Sequence, residues 1–322
     1  MKRFIRMIGT ILLVLIVLIG AGIGYLAIRQ SWTARQVERA WQATEVTPIT
    51  DLGTTRTLEI IPLVDELASD AELQFEHGIS YLIKTDTTTI LFDVGMNANA
   101  TAPSPLQANM AKLGITSDDA QVIVISHNHP DHTGGIRWWR AETFSLGNQQ
   151  IDLTDKTVYV PTALTYPGLT PIVADQPQKI AEGVATLGTI PYAEVWQLAL
   201  FQARNVEQAL AVNVAGSGMV IITGCGHQTL PKLIAWTQAL FDEPIVGVVG
   251  GLHFENATAA AMDPDIQLLQ ELPLQVVALS PHDSEAPARQ ALREAFPHIY
   301  EDVMVGQPIR FGDTVTHRLV GK

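Results

Sequence analysis

The chain has 322 residues, 47% of them hydrophobic and 16% charged, which is ample for a globular core and too apolar for a disordered chain. A formal net charge of −13 argues against nucleic acid or an anionic membrane surface as the main ligand, because both recruit basic faces. The single cysteine, Cys225, excludes an internal disulfide, so the fold must rest on its core and on any metal it binds.

Lys2, Arg3 and Arg6 precede residues 7–28, an uncharged run dominated by Ile, Leu and Val. About 20 such residues cross a bilayer. A cleaved signal peptide is the competing reading, but its apolar region covers about 7–15 residues and ends at a small-residue site; here the run is longer and no clean Ala-x-Ala follows. The segment reads as an uncleaved anchor. Arg29, Arg35 and Arg39 also follow it, yet the three basic residues at the start favour an N-inside orientation with the bulk of the chain extracytoplasmic. Residues 29–53 read as a juxtamembrane linker, with helical spacing through Ala34, Val37, Ala40 and Trp41 and with Trp32 and Trp41 suited to a membrane interface. The expected organisation is a basic N-terminus (1–6), an anchor (7–28), a linker (29–53) and one domain (54–322).

Within that domain, short β-type runs come first, at 57–63, 80–84 and 88–93. Residues 105–113 predict a helix with Leu106, Met110 and Leu113 on one face. The apolar strand 121–125 then runs directly into His127-Asn-His129-Pro-Asp131-His132 and the turn Gly134-Gly135. Residues 138–191 are rich in Pro, Gly and Thr and poor in pattern, with further short strand candidates that include 157–160. Runs at 211–214 and 218–223 form a hairpin about Ala215-Gly216-Ser217, and the second enters Gly224-Cys225-Gly226-His227. A helix at 230–241 starts at Pro231 and has Leu233, Ile234, Trp236, Leu240 and Phe241 at helical spacing. Strands at 245–249 and 276–279 end in Gly250-Gly251-Leu252-His253 and Ser280-Pro281-His282, an alternation that suggests α/β layering.

Three histidines and an aspartate within six positions at a strand end are metal-ligand chemistry, since imidazole and carboxylate suit zinc, iron(II) and manganese. Pro130 fixes a backbone angle between these residues, and the glycines let the chain turn after them. Four separate strands end in histidine-bearing turns, and strand ends on one side of a sheet converge in space. That context favours His227 and His282 as ligands beside His127, His129, Asp131 and His132. His253 stands between ligand and supporting hydrogen-bond partner, while His298 and His317 read as structural.

The cluster His127-x-His129-x-Asp131-His132 followed by Thr133-Gly134-Gly135 resembles the signature of the metallo-β-lactamase superfamily. Leu91-Phe92-Asp93-Val94-Gly95 is similar to its first motif, in which the aspartate supports the metal loop by hydrogen bonding. Glu76-His77-Gly78-Ile79-Ser80, the Gly224–His227 and Gly250–His253 turns and the late His282 resemble the branch containing dihydropterin-ribofuranosylaminobenzene phosphate synthase-like proteins. The resemblance implies an α/β (α+β) four-layer αββα sandwich with a metal pair at one edge, here preceded by the anchor helix. It implies that His127, His129 and His227 hold one divalent ion and Asp131, His132 and His282 the other, zinc being expected with iron or manganese as alternatives. A metal-bound hydroxide would be the nucleophile, with Asp131, His77 and His253 as candidates for proton transfer or substrate contact.

Two departures stand out. Where many superfamily hydrolases have a bridging Gly-Asp, this chain has Gly224-Cys225, so either Cys225 takes that position or His227 contributes from the same turn. The branch's His-Cys-Thr-Gly-like turn is replaced by His282-Asp283-Ser284-Glu285, which puts the branch's substrate in question. The leading expectation is a membrane-anchored hydrolase of an ester, lactone or phosphoester, a small molecule. A pterin-type synthase and a non-catalytic metal-binding sensor or partner-binding protein are the alternatives; the oligomeric state is left open.

Overall fold

The computed structural model describes residues 2–193, 205–255 and 257–312, which fall into two units. The first comprises Met1–Glu45 and Pro191–Asn205. It holds helix α1 (Lys2–Gln42), unbroken over 41 residues, or about 60 Å at 1.5 Å per residue. From Arg6 onward α1 is long and apolar enough to cross a membrane. The helix does not stop where the apolar run stops, because Ala34, Arg35, Gln36, Glu38, Arg39 and Ala40 are strong helix formers. The segment expected as an anchor and the expected linker as far as Gln42 are therefore one continuous helix.

The second unit comprises Val46–Ile190 and Val206–Lys322. Its strands are β1 (Thr57–Val64), β2 (Ser80–Lys84), β3 (Thr89–Phe92), β4 (Val122–Val124), β5 (Thr157–Val160), β6 (Ile172–Val173), β7 (Gln178–Ala181), β8 (Val184–Pro191), β9 (Val206–Val214), β10 (Gly218–Thr223), β11 (Ile245–Gly250), β12 (Val276–Leu279), β13 (Tyr300–Asp302) and β14 (Ile309–Gly312). Its helices are α2 (Pro105–Lys112), the short α3 (Pro130–Thr133) and α4 (Ile136–Arg140), α5 (Leu230–Leu240), α6 (Asp263–Gln270) and α7 (Ala286–Ala295). Two seven-stranded sheets result, ordered β14-β1-β2-β3-β4-β5-β6 and β13-β12-β11-β10-β9-β8-β7. β3, β4 and β5 are parallel neighbours in the first sheet, as are β10, β11, β12 and β13 in the second.

Strand alternation explains how both faces of the first sheet are filled. Tyr81, Ile83, Ile90, Phe92, Val122 and Val124 point into a core shared with Leu210, Val212, Val220, Ile222 and Val249 of the other sheet. Their neighbours Leu82, Leu91, Ile123 and Ile125 point the other way and pack with Leu106 and Met110 of α2. That helix starts with a capping box, Ser104 accepting from Gln107 N and the Gln107 side chain from Ser104 N. On the second sheet α5 buries Leu233, Ile234 and Trp236, and the Trp236 indole donates to the Leu187 carbonyl of β8 at 2.8 Å.

The expected strands at 80–84, 157–160, 218–223 and 276–279 and the helices near 105 and 230 all form. The unread strands are the four sheet edges β6, β7, β13 and β14, which are short or, like Tyr300-Glu301-Asp302, polar, and the interior strand β8, whose Thr186, Gly188 and Thr189 interrupt its apolar residues. β9 starts at Val206, five residues before the expected 211, because Glu207 and Gln208 interrupt the apolar run.

One buried acid ties the sheets together. Asp65, just past β1, accepts from the Tyr81 hydroxyl at 3.1 Å and from the Ser280 hydroxyl, just past β12, at 2.9 Å. Burial pushes its carboxyl up to about 7 despite these hydrogen bonds. Between about pH 4 and pH 7 the folded state thus keeps a proton that the unfolded chain releases, so this group's contribution to stability falls as pH rises through that window. Denaturant unfolding of Asp65→Asn against wild type should show the variant gaining on wild type from pH 4 to pH 7, by no more than about 4 kcal/mol. A pH-independent difference would contradict this account.

Candidate metal centre

β3 and β4 of the first sheet and β10, β11 and β12 of the second end at one edge of the sandwich, where the sheets are sewn together. His127 and Glu207 form an isolated backbone bridge; Gln208 N donates to Ser126 O at 2.9 Å and Gln208 Nε2 to Ile125 O at 2.8 Å. Beyond β4 the chain makes one helical turn, α3, with Pro130 in its first turn and Gly134 at its end in the left-handed region (φ 91°). A β-carbon at Gly134 would lie 2.1 Å from the Ser145 carbonyl oxygen, so this turn closes only with glycine.

Hydrogen-bond bookkeeping around Asp93 fixes how the histidines are presented. Its Oδ1 accepts from Ser126 N at 2.7 Å, and its Oδ2 accepts from the Ser126 hydroxyl at 2.6 Å and from His132 Nδ1 at 2.7 Å. The Ser126 proton being spent on Asp93, its oxygen accepts from His127 Nδ1 at 2.9 Å. His127 and His132 therefore carry their protons on Nδ1, one carboxylate orienting both rings so that Nε2 faces the centre.

Two ligand clusters follow. His127, His129 and His227 form one, with His127 Nε2 2.9 Å from His129 Nδ1 and 3.3 Å from His227 Nε2. Asp131, His132, Cys225 and His282 form the other, with His132 Nε2 3.1 Å from Cys225 Sγ and His282 Nε2 3.0 Å from Asp131 Oδ2. Within each cluster the candidate ligand atoms lie within 4.8 Å of one another, and every residue but the partly exposed Asp131 is buried. The structure thus brings together all seven residues expected as ligands and divides the two from one turn: Cys225 joins the second cluster and His227 the first.

The electrostatics suit cations. Burial, reinforced by the neighbouring imidazoles, pushes His127 well below the usual histidine range, leaving it a neutral base. Burial would do the same to His132, but the Asp93 and Asp131 carboxylates outweigh it and raise that ring to about 9. Burial likewise opposes ionisation of Asp131, yet His132 and His282 hold its carboxyl well below the usual carboxylate range. Burial, then nearby carboxylates, push the Cys225 thiol well up. A proton on His132 thus supplies the positive charge that these acids require, and a divalent cation supplies it better while ionising the thiol. Soft and borderline donors converging on buried points fit transition-metal ions.

His77 and His253 stand beside these clusters. His77 is half exposed, its Nδ1 2.8 Å from Glu66 Oε1 and its Nε2 3.6 Å from Asp131 Oδ2. The His253 ring lies 4.3 Å from that of His227, and its backbone amide donates to Asp283 Oδ2 at 3.0 Å. His298 is exposed in the turn before β13, apart from both clusters, and His317 lies outside the described residues.

Comparison with known proteins agrees with this geometry. A sequence model of the metallo-β-lactamase superfamily matches residues 74–144, which contain Asp93 and the whole loop from His127 to Gly135. A solved metal-dependent hydrolase of the β-lactamase superfamily superposes with a TM-score of 0.56 at 21% identity, covering 80% of this chain and 100% of that one. The metallo-β-lactamase fold protein YhfI from Bacillus subtilis gives 0.51 at 14% identity over the same shares. This is the metallo-β-lactamase fold. Among curated relatives, the 7,8-dihydropterin-6-methyl-4-(β-D-ribofuranosyl)-aminobenzene-5′-phosphate synthase of Methanocaldococcus jannaschii is 23% identical over 301 residues, 81% of this chain and 99% of that protein.

Several residues that shape this candidate centre carry no motif of their own. Glu207 accepts three backbone amides of the Cys225–His227 turn; its sequence signal is only a charge at the head of an apolar strand. Asp283, pushed up to about 8 by burial, supports His253, and Glu66 holds His77. Ser126 links Asp93 to His127.

The Asp93 network makes a direct prediction. Asp93→Asn preserves shape but replaces the carboxylate that two ligand histidines depend on, and metal affinity should fall about 10–100-fold in calorimetric titration. Unchanged affinity in a folded variant would rule out the orienting role.

Proposed function

We propose that this chain is a membrane-anchored, metal-dependent hydrolase that cleaves an ester, lactone or phosphoester. The observation that carries the reading is the pair of buried ligand clusters at one sheet edge, with the Nε2 atoms of His127 and His132 turned inward by a shared carboxylate. His127, His129 and His227 would hold one ion, and Asp131, His132, His282 and Cys225 the other. A buried thiol among the donors favours zinc or iron(II) over manganese. Bound divalent ions supply Lewis acidity, lowering the pKa of water and polarising a carbonyl or phosphoryl oxygen.

The chain's own groups do the rest. His77 donates from Nδ1 to Glu66 and presents Nε2 to the open side of the centre, where it can contact substrate or exchange a proton. If only the histidine-rich cluster is filled, Asp131, with Oδ2 3.6 Å from His77 Nε2 and 3.0 Å from His282 Nε2, is instead free to shuttle that proton. His253 is a further contact on the His227 side.

A second reading, a pterin-type synthase, is supported by the 23% identity to the Methanocaldococcus protein over nearly its whole length. The anchor weighs against it, since a domain held outside the cytoplasm does not meet phosphorylated cytoplasmic precursors. The apolar helix and its basic N-terminal flank support single-pass insertion with the N-terminus inside.

Two measurements test the proposal. Purified full-length protein should retain metal and turn over at least one of a set of aryl ester, lactone and phosphodiester substrates, with His129→Ala lowering the rate about 100-fold or more; absence of bound metal, or full activity in that variant, would sink it. A C-terminal reporter should be active only on the extracytoplasmic side, and cytoplasmic activity would reverse the orientation and revive the synthase.

A further inference from the structure

We infer that Glu207 is the positioning residue that couples the two halves of the centre, an inference that rests on the two-cluster reading above. Three consecutive amides converge on this one side chain: Cys225 N and Gly226 N each donate to Oε1 at 2.9 Å, and His227 N donates to Oε2 at 2.8 Å. Successive converging N–H groups form a concavity that binds anions, and here the chain fills it with its own buried carboxylate. Gly226 permits that backbone shape, with φ at 76° and a β-carbon that would meet the Gly251 carbonyl oxygen at 2.6 Å.

The turn so held sends its two side chains to different clusters. Cys225 Sγ reaches His132 Nε2 at 3.1 Å, and His227 Nε2 reaches His127 Nε2 at 3.3 Å. Glu207 also pairs through its backbone with His127, so one residue of the second sheet registers ligands from both sheets. Gly224 lets this happen at close range: a β-carbon there would lie 2.3 Å from Ser126 Oγ and 3.1 Å from Glu207 Oε1. The Asp93–Ser126 system and the Glu207 system therefore meet at a single glycine. Losing a ligand should weaken one cluster, whereas losing Glu207 should weaken both.

Full-length protein stripped of metal and titrated with cobalt(II) separates these cases, because the thiolate-to-cobalt absorption reports Cys225 and calorimetry reports both binding steps. Glu207→Ala should weaken both steps about 10–100-fold and diminish the thiolate band. Glu207→Gln keeps an acceptor for Cys225 and Gly226 but can set an N–H against that of His227, so it should retain more of the band while weakening the first cluster; it serves if the alanine variant does not fold. His129→Ala should weaken one step and keep the band. In metal-free wild type the amides of 225–227 should exchange slowly, and at least tenfold faster in either Glu207 variant, with β10 and β11 unaltered. Wild-type affinities and band in both Glu207 variants, or unchanged exchange at 225–227, would overturn the coupling and leave the metal-centre reading intact. Slow exchange in a wild type that binds no cobalt would instead overturn the metal-centre reading, and the coupling with it.

Discussion

The centre depends first on one carboxylate. Asp93 sits at the end of β3 with a left-handed backbone (φ 58°), a conformation that an aspartate tolerates better than most residues. From there it receives an amide, a hydroxyl and an imidazole, and through the hydroxyl it governs a second imidazole. A carboxylate offers enough lone pairs for all three donors, which neither an amide nor a hydroxyl could. The consequence is directional: Nδ1 of His127 and of His132 is engaged on the Asp93 side, and Nε2 of each ring faces the line where the two sheets meet.

That meeting line follows from strand geometry. Because β4 alternates Val122 and Val124 inward with Ile123 and Ile125 outward, both faces of the strand are used for packing, and polar chemistry can begin only where the strand stops. The same holds for β10 and β12. Glu207 and Gln208 bring larger polar groups inside β9, and both are buried at the seam, where Gln208 receives from the Thr186 hydroxyl at 2.6 Å and gives to the Ile125 carbonyl. Burying such groups is tolerable only because every lone pair in use meets a donor.

These same facts decide what could be read from the chain alone. The grouping of His127 to His132 with the turns at His227 and His282 is legible because histidines at strand ends interrupt apolar runs abruptly. The sheet edges were not, since solvent-facing segments such as Gln178–Ala181 need no apolar pattern. Glu207 was hidden for the opposite reason: a charge in a strand reads as a break in the strand, and only its three amide partners, 18 to 20 residues away, give it meaning. The choice between Cys225 and His227 was likewise beyond sequence, because it turns on the left-handed Gly226 that sends the two side chains to separate clusters.

Charge explains why such a site exists in a buried setting at all. Asp131 of the second cluster and the buried Asp93, Glu207 and Asp283 all act on Cys225, and in a low-dielectric setting they must be compensated. Without cations the compensation is made by protons: His132 holds one up to about pH 9, Asp283 up to about 8, and the Cys225 thiol stays protonated. Each of these protons occupies a group that a cation would engage or lie close to. Metal uptake at these groups would exchange protons for cations, which would tie affinity to pH and make the ions part of the charge balance at this buried edge of the sandwich.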